Sequence, residues 1–269
     1  IEKGADPAFT ALAITLPSEA DIAREIGEDV DPDAIHFARE ALRKDIGQHL
    51  NEILLATYAR LAADGPYSPD ALAAGRRALR NAALDLFAAG DKFKGALLAT
   101  RQLEGAATMT DEIAALGVLA HIPGEERETA LDAFYRAHSG EPLVIDKWFA
   151  LQATIPERGA LDRVKTLMQH KAFSFNNPNR MRSLAGSFAA MNPTQFNAED
   201  GSGYDFIVGI VLGLDGKNPQ VAARLLSAFK SWRTMEPKRR ARANSALRQV
   251  AGAATLSPDV KDIAERLLA

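Results

Sequence analysis

The sequence has no cysteine. That excludes a disulfide framework, a thiol nucleophile and any thiolate metal site. Aromatic residues are scarce, at 7%, and no period-2 run of strand length occurs, so no sheet is predicted. Neither sign of charge dominates: 32 Lys and Arg face 35 Asp and Glu, for a formal net charge of −3. Such a balance gives no electrostatic reason to expect nucleic acid or an anionic membrane as partner. Long apolar runs are missing too. Phe206–Leu214 still contains two glycines, and nothing approaches the roughly 20 apolar residues of a membrane span. The opening residues Ile-Glu-Lys-Gly-Ala-Asp-Pro have no basic region followed by an apolar one, so no signal peptide is expected. They also lack an initiator Met, which reads as a piece of something longer. The expectation is a soluble chain from a reducing, cytoplasmic compartment.

What is abundant is alanine, with 50 of 269 residues, and leucine, with 30. These are the strongest helix formers. Ile35, Ala38, Leu42, Ile46, Leu50, Ile53, Leu54, Tyr58 and Leu61 step mostly by three or four, so residues 31–63 read as one long helix or two in line. Start signals stand at Ser18-Glu19, Asp31-Pro32, Ser68-Pro69-Asp70, Thr110-Asp111, Asn192-Pro193 and Ser257-Pro258, each a capping residue followed by proline or acid. Gly65-Pro66, Gly90, Pro123-Gly124, Gly140, Pro156 and Gly216 mark stops. Roughly a dozen helices of about 10–20 residues follow from these signals. The predicted fold is all-α: antiparallel helix pairs stacked as an α-solenoid of the ARM/HEAT kind, with a globular bundle as the structural alternative. No strict repeat recurs, so the superhelix is degenerate.

The helical pattern breaks between Lys171 and Tyr204. Phe-Ser-Phe-Asn-Asn-Pro-Asn-Arg and Met-Asn-Pro-Thr-Gln-Phe-Asn-Ala-Glu-Asp-Gly-Ser-Gly-Tyr are dense in turn formers and rich in aromatics. Loops of this kind serve either as tight interhelical turns or as functional segments held on a rigid frame.

A search for catalytic chemistry finds none. The five histidines, at 36, 49, 121, 138 and 170, form no His-Glu-x-x-His pair. His36 and His49 read as surface or helix-end residues. There is no Gly-x-Ser-x-Gly elbow. Gly201-Ser202-Gly203 lacks the Lys, the third Gly and the preceding strand of a phosphate cradle, and reads as a helix-capping turn. Lys238-Arg239-Arg240, with Arg242 and Arg248, reads as a solvated helix face, because no aromatics interleave with it. The acid pairs Glu125-Glu126 and Glu199-Asp200 read as surface acids near helix starts, since adjacent helical residues do not face one substrate.

Three blocks nevertheless resemble a known family. They are Met109-Thr110-Asp111-Glu112-Ile113-Ala114-Ala115-Leu116; Asp146-Lys147-Trp148-Phe149-Ala150-Leu151-Gln152-Ala153-Thr154; and a longer block. The last runs from Phe175-Asn176-Asn177-Pro178-Asn179-Arg180 through Arg182-Ser183-Leu184 and Asn197-Ala198-Glu199-Asp200-Gly201-Ser202-Gly203-Tyr204 to Asn218-Pro219-Gln220-Val221-Ala222-Ala223-Arg224. Together they resemble the C-terminal helical domain of bacterial aminopeptidase N, the alanyl-type zinc metalloaminopeptidase.

The resemblance implies that residues 1–269 form a single non-catalytic domain of a larger enzyme. That domain caps a separate catalytic domain, encloses the substrate cavity and gates peptide access. The catalytic domain, absent from this chain, would hold the one zinc ion through His-Glu-x-x-His and grip the substrate amine through Gly-x-Met-Glu-Asn. The resemblance assigns no catalytic residue, metal or cofactor to these residues. Its implied partners are the catalytic domain of the same polypeptide and peptide substrates. It places Gln220 and Arg224, within Asn-Pro-Gln-x-x-x-Arg, towards bound substrate, and Arg182, within Asn-Arg-x-Arg-Ser, at another cationic position facing the cavity. The i, i+4 spacing of Gln220 and Arg224 puts both on one helical face. All three are expected on the concave face of the superhelix, together with residues 175–204. The competing expectation is a free-standing α-solenoid that binds another protein; an autonomous metal-independent hydrolase has no residues to support it.

Overall fold

The computed structural model describes residues 5–62 and 67–269. The stop signal at Gly65-Pro66, the end of the stripe at Ala63 and the opening residues 1–4 lie outside them. Helices follow one another along the described chain: α1 (Pro7–Ile14), α2 (Glu19–Ile26), α3 (Pro32–His49), α4 (Asn51–Arg60), α5 (Ala71–Gly90), α6 (Lys92–Gly105), α7 (Met109–Ala120) and α8 (Glu125–His138). Next come α9 (Pro142–Ala153), α10 (Ala160–Leu167), α11 (Pro178–Met181), α12 (Ser187–Met191) and α13 (Pro193–Phe196). The series closes with α14 (Ser202–Asp215), α15 (Pro219–Leu226), α16 (Pro237–Ala251) and α17 (Pro258–Leu268). A π turn spans Arg182–Gly186 and a 3-10 helix spans Ser227–Thr234. The fold is all-α; the described residues contain one isolated bridge and no strand.

The helices are more numerous and shorter than the sequence pattern predicts, because proline and asparagine restart them within a few residues. The stripe from Asp31 onwards becomes α3 and α4 in line, interrupted at Leu50, where φ −104° and ψ 17° leave helical geometry. Three of the start signals cap as expected, those at Asp31, Asp70 and Ser257. Asp70 accepts from the Ala73 N–H at 2.9 Å, and Ser257 from the Val260 N–H at 3.2 Å. Two differ. The cap of α7 is Thr108, which accepts from the Asp111 N–H at 3.2 Å and donates its hydroxyl to the Asp111 carboxylate at 2.9 Å. Asn192 spends its side-chain amide on the carbonyls of Ala153 and Ile155, at 3.0 and 2.9 Å. Those carbonyls lie buried past the helical ladder of α9, so satisfying them outweighs capping α13.

The described chain divides into two compact units, one of residues 1–18 and 36–137, the other of residues 19–35 and 138–269. In the first, α5 packs against α1, α4, α6 and α7. Leu79, Ala83, Leu84, Phe87, Leu116 and Leu119 are buried there. A buried amide network ties α5, α6 and α7: Gln102 donates to Asn81 and to the Asp111 carbonyl at 2.8 and 2.9 Å, and Asn81 donates to the Asp111 carboxylate at 3.0 Å. α3 and α5 cross where Gly47 meets Gly90; a Cβ on either would lie within 2.3 Å of the other helix's backbone.

In the second unit, α14 to α17 pack around Tyr204, Ile207, Val211, Leu226, Phe229 and Leu247. Phe196, Tyr204 and Phe229 stack with ring centroids 5.2–5.3 Å apart. Each such pair contributes roughly 0.5–1.5 kcal/mol beyond its buried area. α17 is held at both ends. Asp215 accepts from the Ser257 N–H at 2.8 Å and from its hydroxyl, while the Trp232 indole donates to the Leu267 carbonyl at 2.9 Å.

The basic cluster at the start of α16 departs from the solvated face read from sequence. Lys238, with Glu199 as partner, and Arg240 are solvent-accessible, but Arg239 is 2% exposed. Its guanidinium donates to the Asn197 carbonyl at 2.7 Å, to Asp31 at 3.2 Å, to Glu236 at 3.4 Å and to Asp33. Two of these acceptors belong to the stretch 19–35, so a side chain some 200 positions later clamps that stretch to the unit. The same stretch makes the isolated bridge: the Val30 N–H donates to Thr234 at 2.9 Å, and the Glu236 N–H to Val30 at 3.0 Å. Ile22 and Ala23 pack on Val30, Ile35 and Met235 beneath it.

Arg239→Met should therefore lower the unfolding free energy by about 2–3 kcal/mol, the scale of a lost charge-assisted hydrogen bond. Lys238→Met, on the exposed neighbour, should leave the guanidinium chloride midpoint nearly where it is. Equal midpoints for the two variants would contradict the clamp.

Candidate functional site

The segment 171–204 is not one loop. Asn177 caps α11, accepting from the N–H groups of Asn179 and Arg180 at 2.9 and 3.3 Å, with Pro178 at the first helical position. The helix then widens into the π turn Arg182–Gly186, where the Ser187 N–H donates to the Arg182 carbonyl five residues back. One extra residue per turn re-aims the side chains on either side of it, a device common at functional sites.

Arg180 anchors the segment. It donates to the Ala172 and Pro142 carbonyls at 2.9 and 2.8 Å and to the Asp146 carboxylate, and lies 5.7 Å from the Phe149 ring centre. Asp146 also accepts from the Ser183 hydroxyl at 3.2 Å. The second and third blocks singled out in the sequence thus meet in space. Nearby, His170 packs against Trp148, and its Nδ1 accepts from the Ala172 N–H at 3.1 Å. Burial, with Lys171 adding to it, holds this imidazole below its ordinary range.

The turn into α14 needs both of its glycines. Gly201 sits at φ +84°, and a Cβ on Gly203 would come within 2.3 Å of the Phe196 carbonyl. This closeness lets the Tyr204 hydroxyl reach Asn197 at 2.9 Å, while burial pushes the phenol well above its usual range. The turn is a helix-capping device, as its sequence reads.

Between these elements and the stretch 19–35 lies a cavity of about 900 Å³. Its apolar lining includes Val30, Ile35, Phe196, Leu225 and Met235. Arg182 and Arg224 both line it. Arg182 donates only to neutral acceptors of its own turn, the Pro178 carbonyl at 3.3 Å and the Asn179 amide oxygen. Arg224 is exposed near the end of α15, a helix opened by Asn218 accepting from the Val221 N–H at 3.2 Å. Among the described residues neither arginine has a carboxylate partner. Gln220 is exposed one turn before Arg224 and is not among the cavity's lining residues. The structure therefore brings Arg182 and Arg224 to one cavity and leaves Gln220 beside it.

Sequence reasoning missed the π turn, which has no residue signature, and the arrival of Arg24 and Lys230 at the same cavity. Neither cation shares a helical period with Arg224.

The zinc ion implied by the resemblance finds no donor group among the described residues. Among the described residues no three His, Asp or Glu side chains gather into a group that could hold a metal. These residues do not fit the ion.

The whole sequence, residues 1–269, matches the model of a family described as "Domain of unknown function (DUF3458_C) ARM repeats". The chain belongs to this family. ARM repeats are stacked helix pairs, in agreement with the all-α superhelix expected from composition and spacing. The chain is 39% identical to aminopeptidase N of Caulobacter vibrioides and 38% identical to aminopeptidase N of Escherichia coli. Each alignment covers 100% of this chain but 31% of the relative, in its C-terminal region. A solved structure of Legionella pneumophila aminopeptidase A in complex with aspartic acid superposes with a TM-score of 0.90 at 28% identity, over 99% of this chain and 32% of that one. The chain thus spans under a third of the length of these family relatives.

If Arg180 anchors the irregular segment, Arg180→Met should cost about 3 kcal/mol by leaving Asp146 half-buried and unpaired. Adding Asp146→Asn should cost less than the two single changes summed. Denaturant titration of the four proteins reads the coupling; strict additivity would refute the anchor.

Proposed function

We propose that this chain is the non-catalytic C-terminal domain, residues 1–269, of a longer zinc metalloaminopeptidase that removes N-terminal amino acids from peptides. In this reading it caps the catalytic domain of the same polypeptide, encloses the substrate cavity and gates peptide access. The observation that carries the reading is the cavity beside the π turn, where Arg182 and Arg224 present forked donors with no carboxylate of their own. An apolar cavity with a few polar groups aimed into it is the usual form of a ligand site. A guanidinium there can hold a peptide carbonyl or carboxylate bidentately. Gln220, on the neighbouring turn, would complete the contact once substrate or the rest of the enzyme covers it. The match along the whole chain to part of aminopeptidase N supports this over a free-standing interaction module.

The zinc ion and the amine-gripping residues would come from the remainder of the polypeptide. Within the described residues no helix is long and apolar enough to cross a membrane, and the proposed location is the cytoplasm. Neither nucleic acid nor membrane is a proposed partner.

The test has two parts. The 269-residue chain should hydrolyse no alanyl anilide, with or without added zinc; hydrolysis by the chain that a chelator abolishes would overturn the reading. In the longer enzyme, Gln220→Ala or Arg224→Ala should change kcat/KM among peptide substrates by roughly ten- to a hundredfold, with zinc content unchanged. Wild-type selectivity combined with a lowered Tm would make both residues structural.

A further inference from the structure

The cavity beside Arg182 and Arg224 gathers more positive charge than its apolar lining requires. Lys230 reaches it from the 3-10 helix Ser227–Thr234, and Arg24 from α2. Arg24 has a partner, donating to Asp21 at 2.7 Å. Lys230, like Arg182 and Arg224, has no carboxylate partner among the described residues. The lining carries a single carboxylate, that of Glu19. The three cations come from two stretches of chain: Arg182 from the π turn, and Arg224 and Lys230 from α15 and the 3-10 helix that continues it without a break. Their convergence is therefore not the by-product of one charged helix face.

Like charges around one cavity repel each other, and the repulsion is relieved when an anion enters. A carboxylate suits these groups best, because guanidinium forks bind it bidentately and an ammonium adds a point charge. We propose that the cavity takes an acidic peptide segment, with a side-chain or C-terminal carboxylate among these cations, and that Lys230 is a specificity-determining residue for it. This rests on the reading of the cavity as a peptide site and adds the charge of the peptide.

The test titrates three amidated or free-acid hexapeptides of one apolar sequence into the 269-residue chain at low ionic strength, by calorimetry. The first carries an internal Glu and an amidated end, the second Gln in its place and an amidated end, the third Gln and a free carboxylate. At least one of the two anionic peptides should bind more tightly than the neutral one, and which of them gains identifies the carboxylate recognised. Lys230→Gln should weaken the anionic peptide by about two- to fivefold, the range of an exposed ion pair, and leave the neutral one unchanged. Added salt should shrink the difference. Lys230 is exposed, so the variant should keep the wild-type helical dichroism and Tm. If all three peptides bind equally and Lys230→Gln moves none of them, the charge preference is wrong while the peptide site stands. If none binds to the folded chain, both readings fall.

Discussion

A single buried guanidinium, that of Arg239, fixes the second unit's architecture. A cation at 2% exposure persists only when its donors are satisfied, and here one carbonyl and three carboxylates do so. Asp31 and Asp33 remain about half exposed, so they keep much of their hydration while neutralising the buried charge. The bridge at Val30 and the small apolar cluster of Val30, Ile35 and Met235 then close over the contact. Without this clamp the stretch 19–35 would have little to hold it. α2 itself buries no residue.

That stretch is one wall of the cavity. The opposite wall depends on a second arginine of the same kind, Arg180, whose pairing with Asp146 and two carbonyls holds an asparagine- and proline-rich segment in one conformation. On this frame the next arginine, Arg182, is exposed at the π turn and lines the cavity. Buried arginines build the walls and exposed ones furnish them. The separation explains how the second unit holds a defined, charged cavity.

Much of this was legible in the sequence. The alanine and leucine content and the spacing from Ile35 to Leu61 specify helices, and the Asp and Ser caps locate several of their starts. The irregular text of 171–204 marks the segment that lines the cavity, although it folds as short helices because Asn177 and Pro178 restart the backbone at once. What could not be read were long-range pairings. Arg239 and Lys238 are neighbours of the same type, and only the arrival of Asp31 and Asp33 from far away in sequence buries one and leaves the other in water. A π turn likewise follows from packing on both sides of a helix, with no residue pattern of its own. Arg224 and Lys230 meet Arg182 through tertiary structure alone.

The proposed role is that of a domain that shapes access to chemistry performed elsewhere in a longer chain. For such a role the cavity walls must hold their positions before any peptide arrives, and the wall with the fewest contacts of its own is the stretch clamped by Arg239. Amide hydrogen exchange of the free chain at Val30 tests this most directly. A rigid wall predicts that the Val30 N–H exchanges as slowly as Ile207 and Val211 in the core of α14, requiring near-global unfolding. Exchange of Val30 on the timescale of unstructured amides, with α14 still protected, would show that the stretch opens freely and would contradict a preformed cavity.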